Sequence, residues 1–236
     1  MDLNDARRAD LQTFYSLLDT LARKTNGGRT LLESSGRLQW PRRGVYFFME
    51  TGEIRSNGGG QRIVRVGTHA LKAGSKTKLW TRLSQHRGQE NTGGGNHRGS
   101  IFRLIVGTAL IARDGYQFAT WGDGNSAPAD IRATELGLER EVSAVIGRMP
   151  FLWLEVDDAP GAESLRGDIE RNAIALLSNF GKQPIDPASE GWLGHWCDRE
   201  RVRKSGLWNS NHVDEQYDPE FLGRMKLLVE AMERHQ

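Results

Sequence analysis

Arg82 and His86 stand four residues apart in Leu79-Trp-Thr-Arg-Leu-Ser-Gln-His86, where Leu79 and Leu83 repeat at helical spacing, so the two side chains fall on one helical face. A planar guanidinium there can fork onto a phosphate and stabilise the charge that develops during transfer, a task for which lysine is a poorer substitute. An imidazole one turn on can pass a proton to or from a reacting oxygen near neutral pH. Far downstream, Glu170 lies on the Ile174 and Leu177 flank of a helical run. A partly sheltered carboxylate in that place can hold a hard divalent cation through oxygen while water fills the other positions. Tyr46, inside an apolar run of strand length, could orient or deprotonate an attacking water. Arg65, in the next such run, is placed by period-two alternation where the two could meet. Each residue also has a plainer reading: glutamate is common on helix surfaces, tyrosine in cores, and Glu90 is the nearby acid with which Arg82 could form a surface ion pair.

The elements that must position these groups are legible in part. Leu11, Phe14, Leu18 and Leu21 step at three and four residues, which predicts an amphipathic helix. Glycines at 27, 28 and 36 and Pro41 break the chain before Gly44-Val-Tyr-Phe-Phe-Met-Glu50, a buried strand. Asn57-Gly-Gly-Gly60 turns the chain into Arg62-Ile-Val-Arg-Val-Gly67, so the two runs predict a hairpin with a long loop. The glycine- and asparagine-rich stretch 89–99 predicts a mobile loop. Ser100 fits the N-cap of a helix to Ala112, although Ile101 to Val106 would also pass as a strand. A helix bearing Leu138, Val142, Val145 and Ile146 ends at Gly147, followed by the strand-like Met149 to Val156. A helix through Ile169, Ala173, Ile174, Leu177 and Phe180 ends at Gly181. Asp218 and Pro219 predict the start of a terminal helix with Leu222, Met225, Val229 and Met232 inward.

Charge is distributed unevenly. Residues 61–103 hold nine basic side chains against one acid, a local charge of +8 in a chain whose net charge is +2. Such a run is often only a solvated face, but beside histidines and glycine-rich loops it predicts a polyanion footprint. Lys72, Lys76, Lys78, Arg87, His97, Arg98 and Arg103 are its candidate contacts to nucleic-acid phosphates, positioning a duplex without reading its sequence. The 236 residues suffice for one elaborated domain. The single cysteine, Cys197, excludes an intrachain disulfide and points to a reducing, cytoplasmic setting, while the absence of a long apolar run argues against secretion and membrane spanning. Gly74-Ser-Lys-Thr77 lacks the glycine spacing of a phosphate loop, and His195, Cys197 and His212 lack the paired spacing of a closed zinc site.

The order strand, strand, helix with arginine, intervening helices, strand, helix with glutamate resembles the GIY-YIG nuclease superfamily. Gly44-Val45-Tyr46 stands for its first tripeptide and Arg65-Val66-Gly67 for its second, with arginine where the family usually has tyrosine. The resemblance implies an α+β fold, a small antiparallel three-stranded sheet flanked by helices. It covers residues 42–186 as a catalytic core carrying a helical insertion, with a helical extension at 1–41 and another at 187–236. It implies an endonuclease that hydrolyses phosphodiester bonds in nucleic acid, DNA being the expected substrate, with one Mg²⁺ or Mn²⁺ at Glu170. Tyr46, Arg65, Arg82, His86 and Glu170 would form the catalytic set. For the family's late asparagine, Asn179, Asp186 and Asn209 all remain open. Two other readings are a nucleic-acid-binding module of the same fold that has lost catalysis at Arg65, and a protein-interaction domain whose basic patch meets an acidic partner.

Overall fold

The computed structural model describes residues 3–233, so Met1 and Asp2 of the charged N-terminal stretch lie outside it. Helix α1 (Leu3–Lys24) buries Leu11, Phe14, Leu18 and Leu21, the stripe expected from their spacing. Strands β1 (Arg29–Thr30), β2 (Gly44–Ile54), β3 (Gln61–Gly67) and β4 (Pro150–Glu155) form one antiparallel sheet in the order β1-β4-β2-β3. Three of these are the expected strands. The fourth, β1, has two residues and pairs Arg29 with Phe151, too short to leave a periodic signal.

Alternation along β2 gives the sheet two differently covered faces. Phe47 meets Phe14 of α1, ring centroids 5.9 Å apart, on the side where α1 also contacts α5 (Leu165–Leu177) and α7 (Phe221–Ala231). Tyr46 and Phe48 face the other way, toward His86 of α2 (Leu79–Arg87) and Phe102 of α3 (Ile101–Asp114). The open choice at 101–106 resolves to helix: the Ser100 side chain accepts from the Arg103 N–H and starts α3, and Gly115 in the left-handed region ends it. Helix α4 (Ala129–Gly147) packs on α3 and buries Leu138, Val142 and Ile146, while α6 (Glu200–Ser205) is a single short turn region in the C-terminal segment.

Boundaries shift where long-range bonds outcompete local pattern. Helix α5 stops at Leu177 rather than Phe180, because Ser178 donates its hydroxyl to the Val213 carbonyl and the Asn179 N–H goes to Ser205. Helix α7 starts at Phe221, after a turn in which the Asp218 carboxylate accepts from the Glu220 N–H. The stretch 89–99 is pinned rather than a free loop. Gly95 lies so close to the Arg103 guanidinium that a β-carbon would collide with it, and His97 stacks on Trp121 at 3.8 Å.

Along the outer edge of β3, Trp208 N–H donates to the Val64 carbonyl at 2.7 Å, and the Asn209 amide pairs with both backbone groups of Val66. The C-terminal segment therefore covers an edge that would otherwise expose unpaired donors and acceptors. This is also why the polar positions expected to alternate outward on β3 are buried: Arg62 lies against Glu53 at 2.6 Å, side chains 3% and 4% exposed. Among the described residues no helix is long and apolar enough to cross a membrane.

Candidate active site

Opposite Tyr46 across the hairpin sits Gly67. A β-carbon on Gly67 would overlap the Tyr46 ring, so the last residue of the second tripeptide is glycine to let the phenol of the first lie across β3. Gly44 is held small for a similar reason, since its β-carbon would meet the Leu154 carbonyl of β4. The Tyr46 hydroxyl is 2.9 Å from His86 Nε2, and His86 Nδ1 is 2.8 Å from Ser100 Oγ. His86 is fully buried. Its imidazole is held well below the usual histidine pKa by burial first, then by the charges of Arg82, Arg65 and Arg103. Arg82 and His86 do share a turn of α2, but both ring nitrogens of His86 are already bonded inside the protein. It therefore acts behind Tyr46 and not directly on a reacting oxygen.

Arg82 is half-buried, donating to Gln85 Oε1 at 3.0 Å and to the Gly99 carbonyl at 3.1 Å; Glu90 pairs with Arg87 instead. Its charge acts on Arg65, His69, His86 and Glu170 alike, so these side chains surround one place in the fold. Arg65 is buried, donates to the Trp208 carbonyl and lies 4.5 Å over the Phe102 ring. Burial lowers its pKa, with Tyr46 pulling the other way. Glu170 accepts the Thr68 N–H at 3.1 Å, immediately past the end of β3. Burial raises its pKa against the pull of Arg65, Thr68, His212 and Arg82. Among the described residues it forms no ion pair. A sheltered carboxylate with one oxygen satisfied by an N–H and no paired cation suits a divalent ion, which would hold it ionised.

The basic segment is mostly spent inside. Arg103 is wholly buried against Glu139, and Arg98 makes a two-bond fork on Glu135 with side chains 2% exposed. His97 donates Nδ1–H to Glu139 at 3.0 Å and accepts the Gly122 N–H at Nε2, and Arg87 is tied to Glu90 at 2.5 Å. The expected phosphate contacts at His97, Arg98 and Arg103 are thus corrected to a buried ionic cluster under α3 and α4. Lys72, Lys76 and Lys78 are exposed and form no ion pair among the described residues. With Arg82 they are what is left of the footprint.

Sequence pattern did not single out Thr68, His69 or the link between His86 and Ser100, since each depends on chain reversals between elements. Ser100 was visible only as a helix cap. His69 donates Nδ1–H to the Thr77 carbonyl at 3.0 Å, and burial, then Arg166, push its pKa down to about 4. Of the asparagine candidates, Asp186 accepts from Ser56 N–H at the far hairpin turn, Asn179 caps the turn to Ile185, and Asn209 lies on β3.

His69 and His86 give a pH-dependence with a definite sign. Both have folded pKa values below the unfolded 6.5, so their stabilisation is complete above that value and is lost as pH falls toward about 4. Each contributes a slope of up to about 1.4 kcal/mol per pH unit. Glu50 and Glu170, whose pKa values are raised, work in the opposite sense just above 4.5. The urea midpoint is expected to fall between pH 7 and 5.5; a flat midpoint over that range would contradict neutral burial of the two rings.

The family model described as GIY-YIG domain matches residues 5–235. No curated protein and no solved structure matches the chain. The family is one of nuclease-type function on nucleic acid, and its match runs through the segments that flank the sheet as well as the sheet itself. Sheet, tripeptide glycines and matched span agree: the chain belongs to the GIY-YIG family.

Proposed function

We propose that the chain is a cytoplasmic endonuclease that hydrolyses phosphodiester bonds in DNA with one divalent cation, Mg²⁺ or Mn²⁺, anchored by Glu170. It acts as a single domain whose core spans 42–186. The observation that carries this is the reach of one half-exposed guanidinium, Arg82, to Arg65, His86 and Glu170 around the Tyr46 hydroxyl. When bound, the cation polarises the scissile phosphate and stabilises the departing oxygen. Arg82 forks onto the phosphate, and Arg65 adds a fixed positive charge from below, where the family usually has a second phenol. Tyr46 orients the attacking water, its hydroxyl fixed by His86, which Ser100 holds in turn. Lys72, Lys76 and Lys78 steer the flanking backbone.

The test is incubation of the chain with plasmid DNA, single-stranded DNA and RNA, each with Mg²⁺, Mn²⁺ or a chelator. Cation-dependent cleavage of DNA is expected. Salt-sensitive binding without cleavage in any arm would instead establish the inert module that Arg65 suggests, and no binding at low salt a protein-interaction domain. Tyr46→Phe keeps the ring across Gly67 but removes the hydroxyl, so turnover is expected to fall by about 10²–10⁴-fold. Filter binding of DNA should be unchanged in that variant, and full activity would remove Tyr46 from the mechanism.

A further inference from the structure

His212 lies in the C-terminal segment, outside the set that the sequence singled out for catalysis, and the fold carries it to Glu170. The segment is laid along β3 by Trp208 on Val64 and by Asn209 on Val66. Two residues beyond Val66, the Thr68 N–H binds Glu170. Three residues beyond Asn209 comes His212, whose Nδ1 is 2.8 Å from Glu215 Oε1. The second oxygen of Glu215 accepts from Nε of Arg171, the neighbour of Glu170 on α5. Both routes end at the same end of β3, and the charge of His212 is felt by the Glu170 carboxylate.

The chemistry of the pair is specific. A carboxylate can only accept, so Glu215 fixes the proton on His212 Nδ1 and leaves the lone pair on Nε2. The side chain is one-third exposed, so that lone pair is not sealed as the His86 ring is. An imidazole whose far N–H is held by a carboxylate is the arrangement that orients a metal-binding histidine.

We propose that His212 Nε2 is a second protein ligand for the divalent cation at Glu170, oriented by Glu215. The inference rests on the reading of Glu170 as a metal ligand and goes beyond it, to the identity of the ion. One oxygen and one imidazole nitrogen favour Mn²⁺ over Mg²⁺, because Mg²⁺ keeps to oxygen donors and binds nitrogen poorly. Water and the scissile phosphate fill the remaining positions.

The test uses the full chain, MnCl₂ and MgCl₂, with affinity read by calorimetry and ligation by pulsed electron paramagnetic resonance of bound Mn²⁺. The wild type is expected to show imidazole-nitrogen coupling. Asparagine tolerates the left-handed backbone at this position (φ 63), so His212→Asn keeps the local conformation. In that variant the nitrogen coupling should vanish and Mn²⁺ affinity should fall by about 10-fold or more, with Mg²⁺ affinity changed far less; Glu215→Gln should show a smaller loss of the same kind. Mn²⁺ bound without imidazole coupling, or coupling that persists in His212→Asn, overturns this proposal. If Glu170→Gln abolishes binding at the same time, the Glu170 reading stands. A wild type that binds neither ion overturns both.

Discussion

Glu170→Gln is expected to abolish cation-dependent cleavage, a loss of about 10³-fold or more, while the melting temperature stays at or above that of the wild type. Glutamine matches the shape of glutamate and can still accept the Thr68 N–H through its amide oxygen, so the bond that fixes the side chain at the end of β3 survives. What disappears is the negative charge. In the free protein that charge is a liability, because burial pushes the Glu170 pKa up and no ion pair compensates it. Removing it relieves a desolvation cost and removes the anchor for the cation, so stability and activity should move in opposite directions, as at other strained functional sites. DNA binding, carried by Lys72, Lys76, Lys78 and Arg82, should persist. The measurement is a cleavage time course in Mg²⁺ and Mn²⁺ beside a thermal melt. Cleavage at the wild-type rate, or a melting temperature several degrees lower, would show that the carboxylate is structural.

How far the sequence could be read follows the range of the interactions. Tyr46 and the run around it declare a buried strand because alternation and β-branching are local, and Leu79 with Leu83 declare α2 for the same reason. The direction of His86 is not local. Four-residue spacing puts it on the Arg82 side of the helix, yet only the packing of β2 and α3 against that side shows that it is sealed and committed to Tyr46 and Ser100. The basic segment misled for a related reason. A run of cations predicts a field, but the acids that neutralise Arg62, Arg98 and Arg103 come from residues 53, 135 and 139. No window along the chain contains them together. His212 shows the same limit from the other side: its nearest chemical neighbours, Glu170 and Arg171, are some forty residues away in sequence, and only the clamp of Asn209 on β3 brings them together.

Glu139→Ala is expected to be the most destabilising single change in the chain, about 3–5 kcal/mol. The wild-type carboxylate is under two opposing influences. Burial would raise its pKa, but bonds from His97 and Arg103 outweigh that and hold it below the usual carboxylate range. One oxygen takes the His97 N–H at 2.6 Å and its ring N–H at 3.0 Å, and the other takes the Arg103 guanidinium. Truncation leaves the Arg103 charge, which is 0% exposed, with no counter-charge in contact and no water to solvate it. At about 2–4 °C per kcal/mol for a chain of this size, the melting temperature should drop by about 6–20 °C. The effect should also reach the candidate site, because Arg103 donates to the His86 carbonyl at 2.8 Å and its own N–H holds Ser100 Oγ. A second variant separates the cost of an orphaned charge from the cost of lost packing. Replacing the pair together, Glu139→Leu with Arg103→Met, removes both charges and keeps the volume filled, and such exchanges are often neutral or stabilising. The double variant should therefore melt well above Glu139→Ala. Equal melting temperatures for the two would mean that shape, and not the buried charge, sets the stability of the α3 and α4 interface.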